Sequence, residues 1–309
     1  MSSVLPDFEM FESKIDLQVG STFFSVSGPE NGVPLVLIHG ATVSSLSFNT
    51  LLPCLVRLGF RVLRFDLLGH GKSECPPGAH FTTLTFTRQL EQLLDEMDWP
   101  KRTMVLGYSL GAAVAASLAY RRPDQVGDLF FVAPLLNYSK NRLSSLILRG
   151  PGACLFMKYI IMPFLRRRRV RRALAVGNAK AAEQFLGLSY MPAFQKMIVG
   201  MERASTLDDQ SRQYKNLARH EGRIFVLGGE KDALAPPAHV RTVADLAGCD
   251  DVWVLPGKEH NLIHTSCDLV AQLAAHRAQG DASATLSVFR RLHALDADRF
   301  PLSIYPESV

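Results

Sequence analysis

No stretch of this chain approaches the ~18 consecutive apolar residues that a membrane-spanning helix needs, so no such span is expected. The start, MSSVLPDFEMFESK, has neither the basic region nor the apolar core of a secretory leader. Cysteine is sparse: the five residues at 54, 75, 154, 249 and 267 form no CxxC pair and keep no regular spacing. They read as core or incidental thiols in a reducing compartment, which excludes a disulfide framework and disfavours zinc. No histidine–acid cluster has metal-ligand spacing, so a reaction without metal or cofactor is expected. These absences predict a soluble, cytoplasmic protein whose contact with a membrane is at most peripheral.

Charge is nearly balanced, at 34 Lys+Arg against 29 Asp+Glu. Much of the excess is local, because residues 166–172 read RRRRVRR, six arginines in seven positions. A uniformly basic nucleic-acid-binding face is therefore unsupported. A chain of 309 residues with 47% hydrophobic content is sufficient for one domain of roughly 200–250 residues plus an insertion or extension.

Along the chain, IDLQVGSTFFSVS (15–27) reads as a paired strand region broken at Gly20, and PLVLIHG as a buried strand. SFNTLLPCLVRLG reads as a helix ending at Gly59, followed by the strand FRVLRFD. Residues 84–98 have helical periodicity, and RTMVL and DLFFVAP (128–134) continue the alternation. Continuous apolar strands separated by helices predict an α/β fold, a mostly parallel central sheet buried on both faces. The rhythm breaks from about 135 to 218, where helical patterns and basic runs carry no comparable strand. It resumes with GRIFVLGG (222–229), a helix at 237–247 and the strand DVWVLPG (251–257). The expected organisation is a core of 1–134 and 219–277, a helical cap of 135–218 inserted over the carboxyl edge of the sheet, and an extension of 278–309. That extension contains one amphipathic stretch, ATLSVFRRLHALD.

The candidate chemistry centres on Gly107-Tyr108-Ser109-Leu110-Gly111, which follows the apolar run RTMVL and opens the small-residue stretch LGAAVAASLAY. A strand–Gly-x-Ser-x-Gly–helix context is what a nucleophile elbow requires. The serine hydroxyl needs a histidine to take its proton, and that histidine needs a carboxylate to hold its tautomer. Asp232, in GGEKDALAP, and His260, in GKEHNLIHT, follow the last two expected strands and supply that order. Glu230 and Asp208 are the rival acids and His264 the rival base, whereas His39 and His239 read as structural. An oxyanion would be met by the backbone amides of Leu110 and, from the turn after PLVLIHG, of Ala41. LLGHGKS lacks the full phosphate-loop spacing and reads as a turn beside the site.

With LIHG (37–40), FDLLGHGKS (65–73), GYSLG (107–111), GGEKDALAP and PGKEH in this order, the chain resembles an α/β-hydrolase of the serine esterase or lipase-like kind with a helical lid. The resemblance covers roughly 17–275 and implies Ser109, Asp232 and His260 as triad, with Ala41 and Leu110 lining the oxyanion hole. Glu259 departs from the glycine that often precedes the histidine and puts the local loop geometry in question. Serine at the elbow argues against the haloalkane dehalogenases and epoxide hydrolases of the family, which use aspartate.

The cap segment LILRGPGACLFMKYIIMPFL is dense in apolar side chains and compatible with an apolar tunnel above Ser109. The expected substrate is a hydrophobic carboxylic ester. An amide, lactone, thioester or carbon–carbon bond flanked by carbonyls is an alternative for the same groups. So are acyl transfer to an alcohol and, as a different class, a non-catalytic binding protein. For Arg166–Arg172 the sequence leaves three readings: a solvated helix face, contact with an anionic membrane, or an acidic partner.

Overall fold

The computed structural model describes residues 10–138, 147–175 and 179–278. The chain opens with a hairpin of β1 (Met10–Leu17) and β2 (Gly20–Ser27), then β3 (Val33–Ile38), α1 (Leu52–Arg57), β4 (Phe60–Phe65), α2 (Thr83–Glu96), β5 (Thr103–Tyr108), α3 (Leu110–Arg121) and β6 (Val126–Val132). The single helix expected for SFNTLLPCLVRLG is instead a 3₁₀ turn, Ser45–Phe48, followed by α1. Pro53 sits in the first turn of α1. Its fixed φ and missing N–H suit a helix start and not a helix middle, which explains the division.

After β6 come α4 (Ala153–Phe156), a π-helical turn (Met157–Ile161), α5 (Met162–Ala175), α6 (Ala179–Tyr190), α7 (Pro192–Arg203) and α8 (Ser211–Lys215). The sheet then resumes with β7 (Ile224–Gly229), α9 (Pro237–Ala247), β8 (Val252–Leu255), α10 (Leu262–Thr265) and α11 (Cys267–Ala278). The amphipathic stretch expected beyond 278 lies outside the described residues.

The eight described strands form one sheet in the order β1-β2-β4-β3-β5-β6-β7-β8. The hairpin and its junction with β4 are antiparallel, and every later pairing is parallel. Strand alternation divides the apolar core between two faces. Val36 and Ile38 of β3 pack with α2, α3 and α9 on one side. Leu35 and Leu37 face α1 and α11 on the other. Because β4 lies to one side of β3 and β5 to the other, the strand order reverses at β3/β5. A crevice opens at the carboxyl ends of strands at such a switch point.

The helical insertion between β6 and β7 leaves and re-enters the core at one place. Asn137 and Asp209 form an antiparallel bridge. Beside it, the Tyr138 N–H donates to Leu207 O (2.9 Å) and the Gln210 N–H to Leu136 O (2.8 Å). Helix α7 seats on the core at Gly69, where an added Cβ would lie 2.5 Å from Met197 Cβ.

Candidate active site

Ser109 stands between β5 and α3 with φ +55° and ψ −116°. A non-glycine residue there carries about 1–3 kcal/mol of strain. Two glycines make the turn possible. A Cβ on Gly107 would lie 2.5 Å from Ala112 Cα, and one on Gly111 would lie 2.1 Å from Ile38 O. Both obstructions are backbone, so neither can swing aside. The loop after β3 also approaches the elbow, since a Cβ on Gly40 would lie 3.1 Å from Ser109 Cβ.

The loops after β7 and β8 deliver the other two residues. His260 Nε2 lies 3.2 Å from Ser109 Oγ. His260 Nδ1 lies 2.7 Å from Asp232 Oδ2. The remaining oxygen of Asp232 accepts the N–H groups of Leu234 (2.8 Å) and Ala235 (2.9 Å), which fixes the carboxylate in the core. Tyr108 packs its ring 5.3 Å from that of His260 and donates from its hydroxyl to His260 O at 3.3 Å. Tyr108 thus both packs the elbow and ties it to the histidine loop. Burial pushes the Tyr108 phenol pKa well up, so the hydroxyl keeps its proton.

The rival residues have other partners. Glu230 accepts the Gly257 N–H, and Asp208 pairs with Arg149 at 2.8 Å. His264 lies beside Thr50 (3.5 Å) and is held neutral by burial, its pKa pushed down. It lines a pocket with Val43, Ser47, Phe185 and Leu188, and Ser109 is not in that wall. His39 is fully buried, with Nε2 accepting the Leu67 N–H (3.0 Å) and Nδ1 donating to Gly40 O (2.8 Å). It therefore orients the turn, and desolvation holds its pKa well below the usual value. His239 sits on α9, and Glu259 is exposed.

The N–H of Leu110 opens α3, where the first amides have no intrahelical partner. Among the described residues, no backbone or side-chain acceptor takes the N–H of Leu110 or of Ala41. The peptide that carries the Ala41 N–H is steadied at its Gly40 carbonyl by His39 Nδ1 at 2.8 Å, and His70 Nε2 lies 3.0 Å from Ala41 O in the next peptide. The LLGHGKS turn is built around buried Asp66, whose two oxygens accept the Ser45 and Lys72 N–H groups at 2.8 Å each. The Lys72 amide is therefore committed to a carboxylate instead of standing open to a phosphate.

The arginine run splits by helical phase. Arg166 donates to Ser189 Oγ (2.8 Å) and Ser189 O (2.6 Å) and stacks 3.7 Å from the Tyr190 ring centre. Arg169 lies 4.7 Å over the Phe185 ring near Tyr108, and burial pushes its pKa down. Its inward position depends on tertiary packing and has no local sequence signal. A second juxtaposition joins distant positions: the ligand atoms of Cys54, Cys267 and Asp268 lie within 4.8 Å of one another. Cys54 donates to Asp268 (3.1 Å), burial pushes its thiol pKa up to about 11, and the Arg57 guanidinium touches its sulfur at 3.4 Å. A cation already placed against a protonated thiol does not suit a metal.

A mostly parallel sheet, helices on both faces, an inserted helical cap and this elbow define the α/β-hydrolase fold. A sequence profile described as alpha/beta hydrolase fold matches residues 33–149. A putative non-heme haloperoxidase of Mycobacterium phage D29 is 37% identical over 101 residues, 33% of this chain and 36% of that protein. The chain thus spans about a third of that relative. The sn-1-specific diacylglycerol lipase ABHD11 of Danio rerio is 26% identical over 254 residues, 78% of this chain and 77% of that one. Among solved structures, a thermophilic esterase from Thermogutta terrifontis superposes with a TM-score of 0.71 at 18% identity, over 87% of this chain and 98% of the other. These likenesses span several chemistries, so they define the fold and leave the reaction to the side chains.

Proposed function

We propose that the chain is a serine hydrolase that cleaves a hydrophobic carboxylic ester through an acyl-enzyme. The observation that carries this reading is the continuous line Asp232–His260–Ser109, at 2.7 and 3.2 Å, ending on a strained serine. His260 accepts the Ser109 proton as the oxygen attacks the ester carbonyl, and Asp232 holds the proton on Nδ1 and stabilises the imidazolium. The amides of Leu110 and Ala41 receive the oxyanion. The imidazolium protonates the leaving alcohol, and water activated by His260 then releases the acid. Hydrolysis of 4-nitrophenyl esters from acetyl to palmitoyl, beside Ser109→Ala, tests this. Ester cleavage lost in the variant is expected, and equal rates in both proteins overturn the reading.

Arg169 favours a second reading within the same chemistry. It lies over the Phe185 ring and makes no ion pair among the described residues. A carboxylate on the acyl part of the substrate, or on a carbon–carbon bond flanked by carbonyls, would satisfy it. Comparison of 4-nitrophenyl monoglutarate with 4-nitrophenyl valerate decides: a preference for the acid that Arg169→Met abolishes supports this reading.

A further inference from the structure

Residues 153–175 form one helical run, because the π turn joins α4 to α5 with helical backbone on both sides. Its inward series is Ala153, Met157 and Met162, all buried, then Arg166 and Arg169. The five-residue step from Met157 to Met162 crosses the π turn, which absorbs one extra residue and keeps the buried side in phase. The opposite side is equally ordered. Leu155 (63% exposed), Tyr159, Ile160 and Phe164 (63%) project outward on the first half. Arg167, Arg168 and Arg171 are exposed on the second half, and Lys158 is exposed among the apolar residues. Successive steps of three or four residues from Ile160 through Phe164 and Arg168 to Arg171 keep these side chains on one face.

A helix lying in the plane of a lipid interface has an apolar face edged by basic side chains. No helix among the described residues is long and apolar enough to cross a membrane, so the run is suited to lying on one. We propose that this outer face of the cap docks on an anionic bilayer, Leu155, Tyr159, Ile160 and Phe164 entering the interface while Arg167, Arg168 and Arg171 meet lipid phosphates. This revises the sequence expectation, because Arg166 and Arg169 of the same run are turned inward. The occupant follows from charge and polarity together. An acidic protein would satisfy the arginines and leave four large apolar side chains uncompensated. The docking surface deepens the ester-hydrolase reading, since it would bring the cap to a lipid substrate, yet it can be tested separately.

The full chain would be sedimented with phosphatidylcholine vesicles, with and without phosphatidylserine, at low and high salt. Binding to the anionic vesicles that weakens with salt is expected. The variant Arg167→Gln/Arg168→Gln/Arg171→Gln should bind about 100-fold more weakly, at roughly fivefold per arginine. Leu155→Ser/Ile160→Ser/Phe164→Ser should lose most of the remaining binding to uncharged vesicles. Circular dichroism melts establish that both variants fold, and the rate on 4-nitrophenyl acetate should match that of the parent. Absence of vesicle binding by the parent overturns the proposal, as does binding unchanged in both variants. A concentration-dependent dimer abolished by the same substitutions, without vesicle binding, assigns the face to a second copy and equally overturns it. Vesicle binding by a protein that cleaves no ester would leave the docking face standing and remove the hydrolase reading instead.

Discussion

Replacing Asp232 with asparagine would separate the histidine's support from the loop's stability. Two of the three hydrogen bonds to this carboxylate come from the Leu234 and Ala235 amides, and an asparagine oxygen in the same place still accepts both. The third, from His260 Nδ1 at 2.7 Å, is the one that changes. An asparagine NH₂ facing Nδ1 makes that nitrogen an acceptor and moves the ring proton to Nε2, the atom 3.2 Å from Ser109 Oγ. The base then has no lone pair for the serine proton. The expected loss in kcat is about 10⁴-fold, about 5.5 kcal/mol of barrier. Exchanging one charge-assisted hydrogen bond for a neutral one costs at most about 1.5–3 kcal/mol of stability, small enough for the fold to persist. Asp232→Ala also strips the acceptors from Leu234 and Ala235 and should melt earlier than the asparagine variant. Initial rates on 4-nitrophenyl butyrate, with thermal melts of both variants, provide the comparison. A folded Asp232→Asn protein that loses less than tenfold in kcat would refute the tautomer reasoning and the role given to Asp232.

Three further outcomes follow from the same geometry. Ser109→Gly removes the nucleophile and places glycine at φ +55°, so activity should vanish while the melting temperature rises, the relieved strain of about 1–3 kcal/mol exceeding glycine's chain-entropy cost of about 0.5–1 kcal/mol. Gly111→Ala drives a Cβ to within 2.1 Å of Ile38 O; it should destabilise the fold by about 1–3 kcal/mol in urea unfolding, with loss of ester cleavage as the elbow shifts. His39 has its folded pKa depressed by burial, so below the unfolded value near 6.5 the unfolded chain binds the extra proton and the native state does not. Stability is therefore fully present above that value and falls as the solution is acidified below it. Melts from pH 7.5 to 5 should show a progressive decline, and a flat profile would exclude His39 as a source of acid lability.

The sheet, the elbow and the order of Ser109, Asp232 and His260 were legible because each depends on local sequence. An apolar strand, a glycine-enforced turn and a helix start occupy a few consecutive residues, and parallel strands bring their following loops to one edge without further information. The division of SFNTLLPCLVRLG was legible in principle from Pro53 and was overridden by the periodicity around it. What was hidden depends on phase or on long range. Arg166 and Arg169 differ from Arg167 and Arg168 only by helical rotation, and that rotation is reset at a π turn that composition does not announce. Cys54 meets Cys267 and Asp268 only because α1 packs on α11. Tyr108 reaches the His260 carbonyl only once the β8 loop has folded over the elbow.

The bridge between Asn137 and Asp209 has a consequence for how this protein can change. An insertion whose two ends meet at a pair of backbone hydrogen bonds is closed like a short loop, and beyond the bridge it is tied to the core by packing, as α7 is at Gly69. The entropy of closing that loop grows only slowly with its length, by about 0.6 kcal/mol per doubling. The cap can therefore be lengthened beyond the bridge, provided its core-facing residues such as Met162 and Met197 are kept, while the strand ends that carry Ser109, Asp232 and His260 stay in register. If the chain is the ester hydrolase proposed above, grafting a foreign cap at Asn137 and Asp209 is a direct route to altered substrate choice.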